Sequence, residues 1–345
     1  MKIAKYKSLI PQNTAPYNAS AIGVYDADNN KVGEFALQNL RVPKLGEKLY
    51  SFGALADIHL QYSTAQEDFQ RALTYLNETE DVEFTCICGD LTDNAEDTDF
   101  QTYVSYINTY SPNTPVYEVT GNHDCYNTQL FFDSMKKYTG HDLYYSFTKG
   151  NDVFIMFGMW YWYNGNGTQK PFSHEALQWL YETLEANRNK RCIVFQHALR
   201  FDGSGKPYSA NPTGDILGYC DEGKVFMSLM EHYKNVIWFH GHSHTKFECQ
   251  EDCSYANYDR MHGCRSVHIP SLAVPRDYAN DEYVTMYADS EGYVVDVYNK
   301  HIVLRGRDFV KEKFLPIATY CIDTTLQNIE VDTYKDKYGI ITTNA

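Results

Sequence analysis

The sequence predicts an α/β fold whose mostly parallel sheet carries polar residues at its strand ends. Between residues 50 and 124, short apolar segments typical of strands alternate with segments of helical periodicity. Such alternation indicates βαβ units, in which the strands run parallel. Polar side chains follow each of these strands directly, and in open α/β sheets the binding sites form beyond the carboxyl ends of the strands. We therefore expect the chemistry of this chain at that edge of the sheet.

The first half of the chain supplies three of the predicted strands, at 50–56, 84–88 and 115–119. A helix is predicted after the first strand, where Thr64 and Glu67 have the spacing of a capping box. Apolar residues then recur at intervals of three and four, as on one face of a helix. A second helix is predicted over 100–110.

The second half continues the alternation. Helices are predicted from Ser173 to about Asn187 and over 226–233, with a loop at 200–222 before the latter. Four further segments, after residue 264, have the pattern of consecutive antiparallel strands. The predicted strands of this half are 143–147, 153–157, 192–195, 236–239, 266–269, 283–286, 293–297 and 302–304.

The ends of the chain differ from its centre. Residues 1–50 predict a small β-rich appendage with a hairpin formed by 21–25 and 31–35. The main domain is expected over 51–323, with a cysteine-containing insertion at 246–264. Residues 324–345 have weak periodicity and are expected to form a tail on the surface.

Composition limits the possible partners. The 345 residues carry a formal net charge of −15. A strong electrostatic grip on long nucleic acid or on an anionic membrane is therefore not expected. No apolar run is long enough to span a bilayer, and the first residues lack the apolar core of a signal peptide, so we expect a cytoplasmic protein. The nine cysteines are an odd number, which argues against a complete disulfide framework.

Seven side chains of metal-ligand type lie at five predicted strand ends. Imidazole and carboxylate groups are common metal ligands, and a single structural zinc ion needs only four. Seven groups suit two divalent ions when one carboxylate bridges them, and mixed oxygen and nitrogen donors suit Mn, Fe or Zn. Two such ions would leave residual positive charge for a phosphate ester. The seven are Asp57, His59, Asp90, Asn122, His197, His242 and His244.

The motifs that contain these residues resemble those of the calcineurin-like metallophosphoesterase superfamily. All five occur in the order of that superfamily and span about residues 51–245, and their agreement in strand-end context is far more specific than any one of them. The motifs are Asp57-Ile58-His59, Gly89-Asp90-Leu91-Thr92-Asp93-Asn94, Gly121-Asn122-His123-Asp124, Gln196-His197 and Gly241-His242-Ser243-His244.

The resemblance implies a four-layer αββα sandwich and a dinuclear metal centre that hydrolyses phosphate esters, with a metal-bridging hydroxide as the nucleophile. It also implies that His123 protonates the leaving oxygen as a general acid and that Asp93 holds the ring of His123. The implied ligands of one ion are Asp57, His59 and His244, those of the other are Asn122, His197 and His242, and Asp90 bridges the two.

Two residues differ from the motifs of known subgroups of this superfamily and narrow the choice of subgroup. Asn94 stands where the protein Ser/Thr phosphatases of the superfamily have arginine, and Asp93 stands where purple acid phosphatases have tyrosine. The motif forms look more like those of the cyclic-nucleotide phosphodiesterase-like and related bacterial members. Because those members act on diverse esters, the resemblance leaves open a phosphodiesterase or a phosphomonoesterase acting on a small or nucleotide-like substrate.

Other interpretations compete with these. A non-enzymatic metal-binding scaffold and a nuclease are the alternative functions, and Asp57, Asp90 and Asn122 can each be read as a helix cap. Asp124 is predicted to hold the metal ligands in place and not to take part in catalysis. We predict that the aromatic stretch 160–163 lies in the core or in the wall of the cleft. Cys86 and Cys88 are expected to pack in the interior. A zinc site formed by Cys249, Cys253, His262 and Cys264 is the alternative for the insertion, but their spacing fits no common zinc site. The histidines expected to be structural are His240, His262, His268 and His301.

Overall fold

The computed structural model describes residues 21–25, 31–36, 45–125, 128–160, 170–198, 217, 220–249, 258–259, 265–279, 282–325 and 334–342. The first described element is an antiparallel hairpin of β1 (Ala21–Tyr25) and β2 (Lys31–Ala36), as the sequence predicts. The division of the chain at residues 50 and 323 remains a prediction.

The strands that the first motifs follow form the centre and one edge of a six-stranded sheet. β3 (Lys48–Leu55), β4 (Phe84–Cys88) and β5 (Val116–Val119) are parallel to one another. The polar residues after these strands therefore lie at one edge of the sheet.

A second six-stranded sheet faces the first. Its strands are β6 (Tyr144–Lys149), β7 (Asp152–Phe157), β8 (Arg191–Phe195), β9 (Val236–His240), β10 (Tyr258–Asp259) and β11 (Ser266–His268). Their order in the sheet is β10-β11-β9-β8-β7-β6, in which the four central strands are parallel and each edge strand is antiparallel to its neighbour.

The last strands correct one expectation. The four segments after residue 264 do not form one antiparallel series. β11 is parallel to β9, and β12 (Arg276–Ala279) pairs with β13 (Glu282–Thr285) as a separate hairpin. Only β14 (Glu291–Tyr298), β15 (His301–Asp308) and β16 (Lys313–Asp323) extend the first sheet in antiparallel fashion, with β14 next to β3.

Helices connect most of the successive strands between β3 and β9. In the described part of the chain they are α1 (Ala65–Thr74), which continues into a π-helical turn (Tyr75–Thr79), α2 (Asp97–Tyr110), α3 (Thr128–Thr139), α4 (His174–Ala186) and α5 (Asp221–His232).

The predicted helix caps have different outcomes. The Ser173 hydroxyl accepts a hydrogen bond from Ala176 N and caps α4 as predicted. The capping box predicted at Thr64 and Glu67 is wrong. Thr64 has helical backbone angles, and its side chain makes no capping hydrogen bond. A capping side chain bonds from an extended backbone, which Thr64 does not have.

Apolar side chains on alternate positions of each strand build two kinds of layer. One set fills the space between the sheets, where the rings of Phe52, Phe154, Phe195 and Phe239 pack. The other set, which includes Leu55 and Trp238, packs against the helices. The architecture is thus mixed α/β, with two facing sheets and helices packed on their outer faces, in agreement with the predicted αββα sandwich. Among the described residues, no helix combines the length and the apolar character needed to cross a bilayer.

Some peripheral predictions need adjustment. The segment expected to be a surface tail contains Tyr334, which is buried and whose hydroxyl lies 2.5 Å from Ser228 Oγ on α5. Cys86 and Cys88 are buried free thiols, in agreement with a packing role. Most of the cysteine-containing insertion, with Cys253, His262 and Cys264, lies outside the described residues.

Candidate metal centre

The five motifs converge at one edge of the sandwich. Asp57 and His59 follow β3, Asp90 follows β4, and Asn122 follows β5 in the first sheet, while the loops after β8 and β9 bring their histidines from the second sheet. Backbone hydrogen bonds hold these loops together, such as Asp57 N to Gly89 O at 3.0 Å and Gly241 N to His197 O at 3.1 Å. The edge therefore gathers side chains from both sheets.

Most of these loop residues have a left-handed backbone. The φ angles are 52° at Asp57, 42° at His59, 50° at Asp90, 75° at His242 and 60° at His244. Non-glycine residues rarely adopt this region, and each instance stores on the order of 1–3 kcal/mol of strain that the surrounding structure must hold. Such strain clusters at functional sites. The turns let closely spaced side chains face one point.

Two glycines allow the loops to approach closely. A Cβ on Gly121 would lie 2.1 Å from Asp90 Oδ1, and a Cβ on Gly89, where φ is +82°, would lie 2.5 Å from the His197 ring. Any larger residue would displace Asp90 or His197. The glycines of the second and third motifs therefore have a packing function beside the candidate ligands.

One group of candidate ligands lies around Asp57. The Nε2 atom of His244 is 3.0 Å from Asp57 Oδ1 and 3.2 Å from His59 Nε2. The Nε2 atom of His59 is 3.5 Å from Asp90 Oδ2. One donor atom from each of Asp57, His59, Asp90 and His244 lies within 4.8 Å of all the others. All four side chains are buried, so they form a compact site that can hold a metal ion.

A second group shares Asp90. Donor atoms of Asp90, His197 and His242 also lie within 4.8 Å of one another. His197 Nδ1 lies 2.7 Å from the carbonyl oxygen of Cys88, and His197 Nε2 lies 3.2 Å from Asp90 Oδ2. A hydrogen bond to a carbonyl at one ring nitrogen fixes the orientation of a ligand histidine and leaves the other nitrogen for the metal.

Three donor atoms of the site make no hydrogen bond of good geometry. Asp90 Oδ2, Asn122 Oδ1 and His197 Nε2 are buried without such a bond to any described residue, and the 3.2 Å between Asp90 Oδ2 and His197 Nε2 is an ion-pair contact. Buried polar groups are normally satisfied, and each exception calls for an explanation such as an unseen ion. Two oxygens and one imidazole nitrogen are suitable donors for a divalent metal. The residues present therefore fit the metal that the sequence motifs imply.

The electrostatics of the cluster keep its carboxylates charged. Burial alone would raise the pKa of Asp57, but the nearby His244 and His197 outweigh it, so the pKa falls below its ordinary range. The pKa of Asp90 is likewise lowered, because His197, His123 and His59 outweigh burial. Ionised carboxylates are the form that binds cations.

The histidines of the cluster differ in charge. Burial lowers the pKa of His244 to about 4, against the pull of Asp57, and keeps the ring neutral, as a metal ligand must be. At His197 burial also acts to lower the pKa, but Asp90 and Asp57 raise it to about 9. Metal binding at His197 would therefore release a proton.

The predicted acid and its partner are in contact. His123 Nδ1 lies 3.2 Å from Asp93 Oδ1 and 3.0 Å from the Asp93 carbonyl oxygen. The His123 side chain is 26% exposed, whereas that of His59 is 1% exposed. His123 therefore faces solvent at the rim of the cluster, while its backbone N donates to Asp90 Oδ1 at 2.9 Å.

Asp93 has a second contact that the sequence does not reveal. The same Oδ1 atom lies 3.2 Å from His59 Nδ1. The rings of His59 and His123 are 4.6 Å apart and nearly perpendicular. Asp93 thus links the rim histidine to a candidate metal ligand, and only the folded arrangement of the two loops brings this about.

Supporting groups fix the motif loops. Asp124 accepts hydrogen bonds from Leu91 N at 3.1 Å, Thr92 N at 2.9 Å and Gly121 N at 2.9 Å, so it ties the second and third motifs together as the sequence suggests. His268 Nε2 lies 2.6 Å from Ser243 Oγ, inside the fifth motif. No local pattern in the sequence points to His268, because its strand pairs with β9 only in the folded chain.

The remaining candidates lie away from the cluster or are structural. His240 is buried and packs beside His268 and Trp238, as expected of a structural histidine. Trp160 is 45% exposed, and its ring lies 5.0 Å from that of Phe132. Residues 161–163 of the predicted aromatic wall lie outside the described residues.

With this geometry in place, comparison with known proteins identifies the class. The family model of the calcineurin-like phosphoesterases matches residues 50–246, more than half of the chain. The chain belongs to this family. Membership and the buried Asp/His cluster together support a metal-dependent phosphoesterase. No curated protein is a significant sequence match to the chain.

The chain is also similar to solved structures. GAP50, described as the anchor in the inner membrane complex of Plasmodium, has 15% identity and a TM-score of 0.52, with 83% of this chain and 91% of that chain covered. A predicted phosphoesterase from Streptococcus pneumoniae has 9% identity and a TM-score of 0.37, with 79% of this chain and 97% of that chain covered. At these identities the likeness to GAP50 concerns the fold alone, and no argument rests on the second.

Proposed function

We propose that the chain hydrolyses small phosphate esters with two divalent metal ions. Asp57, His59 and His244 would hold one ion, Asn122, His197 and His242 would hold the other, and Asp90 would bridge them. The ions would be Mn, Fe or Zn, because the donors mix oxygen and nitrogen.

The observation that carries this proposal is the position of Asp90. Its carboxylate belongs to both groups of candidate ligands, the one around Asp57 and the one with His197 and His242. Its Oδ2 atom is buried without a hydrogen bond to any described residue, while its Oδ1 atom accepts from His123 N. A carboxylate that lies between two sets of donors is suited to bridge two ions.

The chemistry divides between metal and protein. Bound ions supply Lewis-acid activation of a water molecule and neutralise charge on the phosphoryl oxygens. His123 stands at the exposed rim, where it can donate a proton to the oxygen of the leaving group. The carboxylate of Asp93, 3.2 Å from His123 Nδ1, would orient the ring. General acid catalysis of this kind typically contributes about 10²–10⁴ in rate.

The substrate is proposed to be a small mono- or diester, with nucleotides included. A net charge of −15 disfavours long nucleic acid, which needs a basic track along its backbone. A compact anion can still bind, because local metal charge attracts it within an acidic protein.

The proposed test measures hydrolysis of aryl and alkyl esters by the wild type and by His123→Asn. Substrates are a 4-nitrophenyl diester and monoester, each with a matching alkyl ester, assayed with Mn²⁺ and with chelator. His174→Asn, in which an exposed histidine of α4 is changed, is the matched control. We expect metal-dependent turnover, and we expect His123→Asn to lose about 10²-fold or more on the alkyl ester but much less on the nitrophenyl ester, because a good leaving group needs little protonation.

Each outcome has a distinct meaning. Equal losses on both leaving groups, with metal content unchanged, would refute the acid role of His123. Bound metal without turnover of any ester would favour the scaffold alternative. Cleavage of oligonucleotides with a steep salt dependence, in preference to the small esters, would favour a nuclease. The ratio of diester to monoester turnover by the wild type defines the substrate class.

A further inference from the structure

A large cavity lies away from the metal centre, on the outer face of the first sheet. Its volume is about 740 Å³, and its walls come from α1, the π-helical turn, β15 and the residues that follow β15. None of the seven candidate metal ligands lines it, nor does His123 or Asp93. Sites for small molecules commonly have volumes of about 300–1,000 Å³. The cavity is therefore large enough for an organic ligand.

A buried cation lines this cavity without an acidic partner. Arg307 is only 6% exposed, and its guanidinium lies 3.5 Å from the centre of the Tyr75 ring. Within the described part of the chain, its side chain makes no ion pair and no hydrogen bond, and its buried Nε atom is unsatisfied. Burying an unpaired charge is costly, and stacking on an aromatic face compensates only about 2 kcal/mol of that cost.

The neighbouring arginine on the same face of β15 is different. Arg305 Nε lies 2.8 Å from Asp296 Oδ2, and Arg305 Nη2 lies 2.5 Å from Glu80 Oε2. Two arginines two residues apart thus have opposite environments, one with two carboxylates and one with none. The carboxylates at Arg305 show that this face of the sheet can pair an arginine within the chain. Because Arg307 has no such carboxylate, its partner must come from outside the described residues.

The other walls restrict the ligand. Glu67 and Glu312 also line the cavity, and they would repel a multiply charged anion. Arg71 lines it too, but Arg71 is paired with Asp68 at 2.8 Å. Phe309 adds an apolar surface. One unpaired cation beside an apolar wall and two acids suits a single carboxylate that carries a planar, apolar body.

We propose that this cavity binds a small aromatic monocarboxylate, with its carboxylate on the guanidinium of Arg307 and its ring against Phe309. Arginine is suited to this task because its planar fork donates two parallel hydrogen bonds to a carboxylate. The site is separate from the metal centre and does not depend on the proposed hydrolysis.

The experiment is calorimetric titration of the metal-loaded full chain with 2-naphthoate and with its neutral analogue 2-naphthamide. The variants are Arg307→Gln and Gln70→Trp, the latter adding bulk to the cavity wall from an exposed position of α1. Arg188→Gln removes the same charge from the turn that follows α4, outside the cavity, and is the matched control. We expect the wild type and Arg188→Gln to bind naphthoate at least ten-fold more tightly than naphthamide. We expect Arg307→Gln and Gln70→Trp to lose at least ten-fold in naphthoate affinity.

Three results would overturn the proposal. They are naphthoate binding that equals naphthamide binding, no naphthoate binding by the wild type at millimolar concentration, and full naphthoate binding by both cavity variants. The last result would assign the anion to the metal centre, which both variants leave intact. If Arg307→Gln does not fold, Gln70→Trp decides alone, because it changes only an exposed helix position.

Discussion

The two ends of the β-sandwich bury polar groups in opposite ways. At the metal end, buried donor atoms of Asp90 and His197 make no hydrogen bond to described residues, and the ligand loops have a left-handed backbone. At the other end, where β3, β7 and β8 begin, Asp152 Oδ2 lies 2.5 Å from both Tyr50 Oη and Arg191 Nη2. Arg191 Nη1 also donates to Thr324 Oγ1 at 2.8 Å.

The comparison separates two uses of buried charge. The Tyr50–Asp152–Arg191 network pairs its charged groups within the chain, with Arg191 Nε alone left without a hydrogen bond to described residues, and it joins the starts of strands from both sheets. At the metal end, buried donor atoms of Asp90 and His197 lack hydrogen bonds, which lowers the stability of the fold unless a ligand binds there. We therefore expect substitutions at the two ends to act on different quantities, stability at one end and catalysis at the other.

The largest expected effect is at the end opposite the metal centre. Arg191→Met should lower the free energy of unfolding by about 3–5 kcal/mol, because it leaves Asp152 buried with one partner fewer. Turnover per folded molecule should not change. Chemical denaturation of the wild type and the variant measures the loss, and Arg188→Gln, which breaks a half-buried pair with Glu185, should cost less than about 1 kcal/mol. Equal losses in the two variants would show that the network contributes little.

The next effect is at the metal end. Asp90→Asn should lower metal-dependent turnover by at least about 100-fold, which corresponds to about 2.7 kcal/mol, since it removes the shared carboxylate. Metal content should fall with it. In chelator the variant should lose stability, because the contacts of the Asp90 carboxylate with His197 and His59 are weakened, but the loss should be smaller than that of Arg191→Met, since the Asn oxygen can still accept from His123 N. A loss in chelator as large as that of Arg191→Met would contradict the contrast between the two ends.

The smallest effect, counted per pH unit, concerns a carboxyl group near the metal end that keeps its proton. Glu291 is fully buried and accepts a hydrogen bond from Phe247 N at 2.8 Å, and burial raises its pKa to about 8 despite Lys246 nearby. Because the folded pKa lies above the ordinary value of 4.5, the contribution of Glu291 to stability is full below pH 4.5 and declines as the pH rises towards 8.

The free energy of unfolding of the wild type, relative to Glu291→Gln, should therefore fall between about pH 5 and pH 8, by no more than about 1.4 kcal/mol per pH unit. Denaturation of both proteins across this range measures it. A constant difference would show that Glu291 titrates normally in the folded protein.

Local patterns in the sequence predicted much of the site. Each motif is a short loop after an apolar strand, so parallel pairing alone brings Asp57, Asp90 and Asn122 to one edge. Contact between His123 and Asp93 agrees with the prediction as well. The roles of these residues as ligands and acid remain predictions that the proposed assays address.

Features that depend on distant contacts were not predictable in the same way. The alternating pattern of β11 is the same whether its neighbour runs parallel or antiparallel, so its pairing with β9 was predicted wrongly. The capping box at Thr64 failed because the fold gives that residue helical angles. The second contact of Asp93, with His59, and the support of Ser243 by His268 arise only when separate loops meet.

The left-handed backbone of the candidate ligands limits how this centre can be redesigned. Asn, Asp and His are several-fold enriched in that region among non-glycine residues, whereas β-branched residues are genuine outliers there. Attempts to change metal preference at Asp57, Asp90 or His244 should therefore draw on Asn, Asp, His or Gly. A library that includes Thr or Val at these positions would lose members to misfolding before their metal affinity could be selected.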